Sequence, residues 1–507
     1  MERDCVLRIM AAISGTMLLF SGWCAGDDRV TVIDVGSRKQ LFIDDRFIET
    51  SHGVELTMNP PRRDGQVLLT TDQSGERGRH IGVYSSVLKE DGRVKIWYDL
   101  RRYTPGAAYE YELLVGYAES PDGLRFTKPR LGLHEIDNSL ENNVVMPNGV
   151  GGCSIWIDPR APPEHRYKNQ AKVYPSHKFR MHSSPDGLQW KLFSKIDLPR
   201  GGFDTQTIVC WDPNVSRYVM YTRYWVQPDP EPAWFRTVRR LESDDLVHWD
   251  TQSIVMEADE VDRATHETPT EQPPVDYYGA DVFRYTEAED VYIMLSQAFW
   301  HWQQRDAKGL GPSKFDVRLA VSRDGKTFQR AGGRKPFMAT GPEGSFDSRF
   351  VWAMPHPIRM DDSLWIYYVG TNRDHDRQID PAAKGQHLTG ISRAVLRLDG
   401  YISADADYEG GQITTPPIRF SGKRLELNVE TSGGGMVSVE ILDQNSRPIS
   451  GYMRSAAIAV QGNSVRMPVR WQDTEDVSSL AGHPVRLRFH MQDCKLYAFQ
   501  FREPDAG

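Results

Sequence analysis

Two short segments far apart in this 507-residue chain match closely. Gly202-Phe203-Asp204-Thr205-Gln206 and Ser345-Phe346-Asp347-Ser348-Arg349 each set an apolar residue, an aspartate and a small hydroxyl ahead of an apolar run. A third region offers Glu76, with Arg77, Arg79 and His80 beside it. A fourth region offers Glu271, Asp276, Tyr277, Tyr278 and Asp281, whereas Asn142, Asn143 and Asn148 supply only amides. Two or three carboxylates around one pocket suit hydrolysis of a glycosidic bond. One stays protonated and protonates the leaving oxygen, while another activates water or attacks the sugar carbon. Mutual repulsion and partial burial would split their pKa values. Asp204, Asp347 and Glu76 are therefore the candidate catalytic residues. Each aspartate is also suited to bracing a turn through its own backbone.

Residues that bind a substrate come from the same regions. Arg79 and Arg349 are placed to orient a carboxylate or to hold an acidic sugar group. Asp276, Tyr278, Trp225, Trp300, His301 and His375 complete the candidate substrate-binding set, because flat rings suit the apolar faces of sugars. Core packing is the competing role for any one ring. His301 and His375 lack the paired spacing of a metal site. No metal and no cofactor are expected, a structural cation in a central channel aside.

These residues are distant in sequence, so repeated elements must bring them together. Phe203 to Tyr221 reads FDTQTIVCWDPNVSRYVMY: an apolar strand, an Asp/Pro/Asn turn and a returning aromatic strand. That is a β-hairpin pattern. Gly82–Asp99, Cys153–Lys172, Gly279–Gln297 and Val351–Gly370 repeat it. A second mark follows most hairpins. Ser120-Pro121-Asp122-Gly123 leads to Phe126, Ser184-Pro185-Asp186-Gly187 to Trp190, Ser243-Asp244-Asp245 to Trp249, and Ser322-Arg323-Asp324-Gly325 to Phe328. After the fifth hairpin, Gly390–Leu398 and Asp399-Gly400 take that place. Hairpin and mark recurring together predict an all-β fold, a five-bladed β-propeller. Inner strands of such a ring line its channel, so their starting residues converge at one mouth.

The chain is long enough for two or three domains. Residues 1–26, with Arg3 and Arg8 ahead of an apolar run from Ile9 to Phe20, read as a signal peptide. They predict a secreted or periplasmic protein. Trp23 before Cys24 argues against a lipid anchor, and nothing later in the chain resembles a membrane span. Residues 27–400 then form the propeller with lead-in strands that pack on it or help close it. Residues 401–507 carry short, evenly spaced strands, with Gly433-Gly434-Gly435 as a hairpin-type break, and predict a β-sandwich. Pro228–Trp234 and Glu257–Pro274 are long loops of the kind that carry function. Gly 42, Pro 31 and 10% aromatic residues fit a turn-rich β protein. A net charge of −8 argues against a nucleic-acid partner. Past the leader, Cys153, Cys210 and Cys494 remain. A Cys153–Cys210 disulfide and buried free thiols both fit. The oligomeric state is open.

The hairpins, the Ser-x-Asp-Gly-x-x-aromatic marks and the entry to the C-terminal region through Leu398-Asp399-Gly400-Tyr401 resemble the five-bladed propeller glycosidases. That group includes glycoside hydrolase families 32, 43 and 117. The resemblance covers nearly all of the mature chain and is greatest to secreted bacterial relatives of family 32. It implies a glycoside hydrolase acting on a polysaccharide or oligosaccharide by carboxylate acid/base catalysis at the propeller mouth. The family 32 motifs Trp-Met-Asn-Asp-Pro, Arg-Asp-Pro and Glu-Cys are absent from this chain, so no catalytic residue transfers position by position. A non-catalytic carbohydrate-binding propeller is the second reading, since fold alone does not give function. A sialidase-like enzyme is the third. Its Asp-box is one residue longer than the mark here, it has six blades, and it would need Arg79, Arg236 and Arg349 in one pocket.

Overall fold

The computed structural model describes residues 31–503 except 107–110, 148–149, 152–153, 174–177, 200–204, 227–234, 264–274, 302–312, 376 and 378. The expected leader, Cys153, Asp204, Glu271 and the 228–234 loop lie outside the described residues, as does the side chain of His301. The fold is all-β, with one short α-helix (Glu260–Arg263) and a few 3₁₀ turns among the described residues.

Five sheet units follow one another along the chain. The first pairs Val144–Met146, Tyr111–Ser120 and Arg93–Tyr103, with His80–Ile81 and Ser86–Glu90 both on Arg93–Tyr103. Tyr167–Val173, Lys178–Ser184 and Lys191–Lys195 build the second, with Ile155–Ile157 on its inner edge. The third runs Ile208–Asp212, Arg217–Val226, Phe235–Ser243, Asp250–Met256. The fourth has Val275–Arg284, Tyr292–His301 and Ser313–Ser322. Phe350–Ala353, Ser363–Thr371 and Thr389–Arg397 form the fifth, joined to the fourth by one parallel pair, Phe315 with Phe350. The hairpin turns are local in origin. Asp91 and Gly92, for example, both take positive φ (+49° and +73°), which a two-residue hairpin turn requires.

The second mark is a hydrogen-bonded brace. Ser120 Oγ donates to Asp122 Oδ1 (2.9 Å) and accepts from the Gly123 amide (2.9 Å), while Asp122 Oδ1 accepts from the amides of Leu124 and Arg125. The same bonds recur around Ser184, Ser243 and Ser322. The residue after the aspartate turns left-handed each time. It is Gly123, Gly187 and Gly325 in three marks and Leu246 (φ +65°) in the third unit.

Each brace then seats on the unit before it. Trp97 Nε1 of the first unit donates to the Gly187 carbonyl of the second at 2.7 Å. Leu246 and Trp249 of the third unit pack with Trp156 and Phe179 of the second. Tyr221 of the third unit donates to the Gly325 carbonyl of the fourth, and Tyr285 of the fourth to Asp399 Oδ1 of the fifth, both at 2.7 Å. Tyr367 of the fifth donates to the Gly123 carbonyl of the first, also at 2.7 Å. Apolar clusters fill the same junctions, including one shared by the first and fifth units around Ile96, Tyr98, Met354 and Val369.

The lead-in packs on the fourth and fifth units, with Leu41, Ile43 and Met58 in one core with Phe283, Ile293, Leu364 and Leu396, while most of its strands find their partners elsewhere. Ile33–Gly36, Gln40–Leu41, Thr50–His52 and Val54–Met58 pair with C-terminal strands, and only Arg62–Arg63 joins the fifth unit, beside Thr389–Arg397. The C-terminal strands are also longer than the sequence suggests. Arg424–Asp443 and Val485–Arg502 each run unbroken and pair with one another. Gly433–Gly435 is a register shift within the first of these, not a hairpin. A Cβ on Gly435 would sit 2.1 Å from the Asp493 carbonyl, so only glycine lets the backbones meet. This sheet has its own core around Phe42, Phe47, Leu427, Val439, Trp471 and Phe499. Cys210 and Cys494 are free thiols.

Candidate active site

Where the first, fourth and fifth units meet, aromatic side chains form one cluster: Tyr84, Tyr278, Phe299, Phe315, Phe350 and Trp352. The inner strands Val275–Arg284 and Phe350–Ala353 supply Tyr278, Phe350 and Trp352, as alternation along a strand places every second side chain on the same side. The cluster is anchored from the third unit. Gln206 accepts from Trp352 Nε1 (3.1 Å) and donates to the Ser85 carbonyl (2.8 Å).

A cavity of about 300 Å³ opens over these rings. Its polar wall carries His80, Arg101, Thr371, Arg373, Asp374, His375, Arg377 and His387. Asp374 is the carboxylate among the described lining residues. His375 stands against Tyr278, with the tyrosine hydroxyl 3.4 Å from Nε2, and its ring lies 5.1 Å from that of Phe299. His80 and His387 meet ring to ring at 4.9 Å. Burial is the main force lowering both. His80 falls to about 3, with His387, Arg101 and Arg373 adding to the effect, and His387 falls to about 4, with Arg373 adding. Both rings are therefore neutral near pH 7.

Arg101 enters the wall from below. Its Nε and Nη2 reach Asp99 Oδ2 at 2.7 and 2.5 Å, behind Gly82. Asp99 is 1% exposed, and Oδ1 has no hydrogen-bond partner among the described residues. Burial raises its pKa, with Arg101 pulling the other way. On the opposite side, Arg236 donates to Asp276 at 2.6 Å and stacks over Trp225 (4.3 Å) and Tyr278 (4.7 Å).

Of the residues expected to bind substrate, Tyr278 and His375 line the cavity, and Trp225 and Asp276 stand behind Tyr278 through Arg236. The others sit elsewhere. Trp300 packs under Arg318 (5.0 Å). Arg79 is held between Glu112 and Asp137, and Arg349 between Glu343 and Asp380. Glu76 is buried and saturated. It accepts from Tyr98, Lys128 and the amides of Asp72 and Gln73 at 2.5–2.9 Å. Asp347 accepts from Arg63, Tyr368 and Ser345. Neither carboxylate is among the lining residues of the cavity. Arg79 and Arg349 occupy separate ion-pair networks in the first and fifth units, unlike the shared arginine pocket of the sialidase reading.

Asp374, Arg373, Arg377 and His387 were not singled out from sequence. The one signal was the run Thr371-Asn372-Arg373-Asp374-His375 after an apolar strand. Among the described residues no group of three or more His, Cys, Asp and Glu has metal-holding geometry. No helix among them is long and apolar enough to cross a membrane.

No protein-family model matches the chain, and no curated protein matches it. Solved structures do. One is a glycosyl hydrolase from Bacteroides ovatus, at 13% identity over 69% of this chain and 97% of the other, with a TM-score of 0.44. Another is a thermostable family-43 glycoside hydrolase, at 12% identity over 68% and 96%, with a TM-score of 0.42. A third is an N-acetylgalactosamine deacetylase from F. plautii in complex with blood group B trisaccharide, at 14% identity over 68% and 96%, with a TM-score of 0.42.

Proposed function

We propose that the protein is a carbohydrate-processing enzyme, a glycoside hydrolase working at the cavity between the first, fourth and fifth units. In this reading the five units are the blades of a propeller and residues 401–507 add a β-sandwich with the lead-in strands. Residues 1–26 direct the chain out of the cytoplasm. The observation that carries the functional reading is the cavity's composition. A platform of Tyr84, Tyr278, Phe315, Phe350 and Trp352 faces a wall of histidine, arginine and one carboxylate. Rings receive the C–H face of a sugar, while the wall meets its hydroxyls. At about 300 Å³ the space falls at the small end of ligand sites, which run to about 1,000 Å³.

We assign Asp374 one of the two carboxylate roles. Asp204 is retained for the other, because Gln206, two residues on, bonds Trp352 of the cavity lining. Glu76 and Asp347 are assigned to structural work. Turnover of a panel of plant, algal and host glycans, read as new reducing ends, tests the proposal. Asp374→Asn and Asp204→Asn should each lower the rate at least about 100-fold with the fold intact. Wild-type rates in both variants would refute the assignment. That Asp374 is the sole carboxylate among the described lining residues favours a second reading, a binding module without turnover. Glycan binding with no product from any substrate would establish it instead.

A further inference from the structure

The polar wall of the cavity is unevenly charged. Arg101, Arg373 and Arg377 bring three guanidinium groups to it. Arg101 is matched by Asp99. Arg377 lies over the rings of Tyr103 and Tyr111 at 4.4 and 5.1 Å. Arg373 has no carboxylate partner among the described residues. Its Nε donates to the Arg377 carbonyl at 3.3 Å, and both terminal nitrogens of the fork are uncommitted among the described residues. Beside it stand His80 and His387, in ring contact and neutral near pH 7. His387 Nε2 is fixed 3.1 Å from the Thr371 hydroxyl, itself part of the wall.

A neutral sugar needs hydroxyl partners of both kinds, donor and acceptor. This corner offers a fixed cation with an uncommitted planar fork and two neutral imidazoles, each with one ring N–H to donate. Fork geometry matches two oxygens of a carboxylate or a sulfate. Because the histidines carry no charge, they add hydrogen bonding without repelling Arg373.

We infer that Arg373, His80 and His387 form a subsite for an anionic substituent of the sugar, a carboxylate or a sulfate ester, held next to the aromatic platform. This rests on the reading of the cavity as a carbohydrate site. It narrows the substrate class to uronate-containing or sulfated glycans.

Calorimetric titration of the full chain tests it with matched probes. These are tetragalacturonate against its methyl ester, and a sulfated galactan tetrasaccharide against its desulfated form. At least one charged probe should bind about tenfold or more tightly than its neutral partner, which is about 1.4 kcal/mol. The preference should shrink with added NaCl. It should fall below about threefold in Arg373→Gln and partly return in Arg373→Lys. The pair that shows the preference tells carboxylate from sulfate. Equal binding of charged and neutral probes, or a preference that survives Arg373→Gln, overturns the inference while leaving the carbohydrate site standing. If no oligosaccharide binds, the carbohydrate reading fails, and inorganic sulfate decides the anion site alone. It should shift the imidazole C–H resonances of His80 and His387, assigned through His80→Asn and His387→Asn, in the wild type but not in Arg373→Gln. No such shift overturns the subsite as well.

Discussion

Arg63 Nη1 donates to Asp347 Oδ2 at 3.0 Å, and this pair ties the short strand Arg62–Arg63 to the fifth sheet unit. Tyr368 donates to the same oxygen at 3.2 Å and Ser345 to the other at 2.7 Å. The aspartate is nearly buried (8% side-chain exposure) and the arginine partly so (21%). Asp347→Asn should thus cost about 1–3 kcal/mol, because it strands a partly buried guanidinium. Thermal unfolding should show a lower Tm, while turnover at permissive temperature stays near wild type. Asp374→Asn should do the reverse, with Tm held and turnover lost. A catalytic loss in Asp347→Asn at unchanged Tm would return that residue to the active site.

The contact between the first and fifth units has its own test. Tyr367 is fully buried, and its hydroxyl is bonded to the Gly123 carbonyl. Tyr367→Phe removes that bond, leaving a buried carbonyl unpaired at a cost of about 1–3 kcal/mol. Tyr221→Phe makes the equivalent change between the third and fourth units. The two sites share no partner, so their effects on Tm should add. A silent Tyr367→Phe would mean that this junction is held by packing alone.

How much of this was legible in the sequence follows from the range of each interaction. Asp91-Gly92 and the Ser-x-Asp-Gly marks bond their own backbones, so the residues that build them are neighbours and can be read directly. Even Leu246, which takes the left-handed position without being glycine, was betrayed by Ser243, Asp245 and Trp249. Pairings across the chain leave no local trace. Nothing near Val54–Met58 signals that it will lie beside Ile402–Ala406. The candidate site fared likewise. Tyr278 and His375 announced themselves as an aromatic and a histidine beside apolar strands. Asp347 and Glu76 look equally reactive in the sequence, which carries no trace of their partners, Arg63 and the Tyr98–Lys128 pair. His80 faces His387 because two sheet units meet, and no spacing encodes that.

Acid stability should depend on four partly buried histidines. His80 is lowered to about 3, and His182, His356 and His387 to about 4, in each case chiefly by burial. Arg101 and Arg373 add to the first, Arg180 to the second and Arg373 to the last. A depressed histidine binds its proton in the unfolded chain before it does so in the fold. Unfolding therefore takes up protons between the unfolded value of 6.5 and the folded values, and stability drops as pH falls through that window. Tm should be nearly level above pH 6.5 and decline towards pH 4. His356→Gln, which removes one depressed titration outside the cavity lining, should flatten part of the decline. An unchanged pH profile in that variant would remove His356 from the groups that set acid lability.

Gly82 lies against the Asp99–Arg101 ion pair at the cavity wall. Its amide donates to the Asp99 carbonyl at 2.7 Å. A Cβ at this position would stand 2.6 Å from both Asp99 Oδ2 and Arg101 Nε and 2.8 Å from Asp99 Cγ. Asp99 cannot retreat, since it is buried and Arg101 grips the oxygen that the methyl would strike, so Arg101 must give way. Gly82→Ala should therefore cost about 1–3 kcal/mol from overpacking and push Arg101 into the cavity. Glycan affinity should fall with Tm. Gly433→Ala makes a fair control, because a Cβ there meets nothing within 4 Å. It should leave both Tm and affinity unchanged. If Gly82→Ala binds glycan as tightly as the wild type, the Asp99–Arg101 pair has no part in shaping the cavity wall.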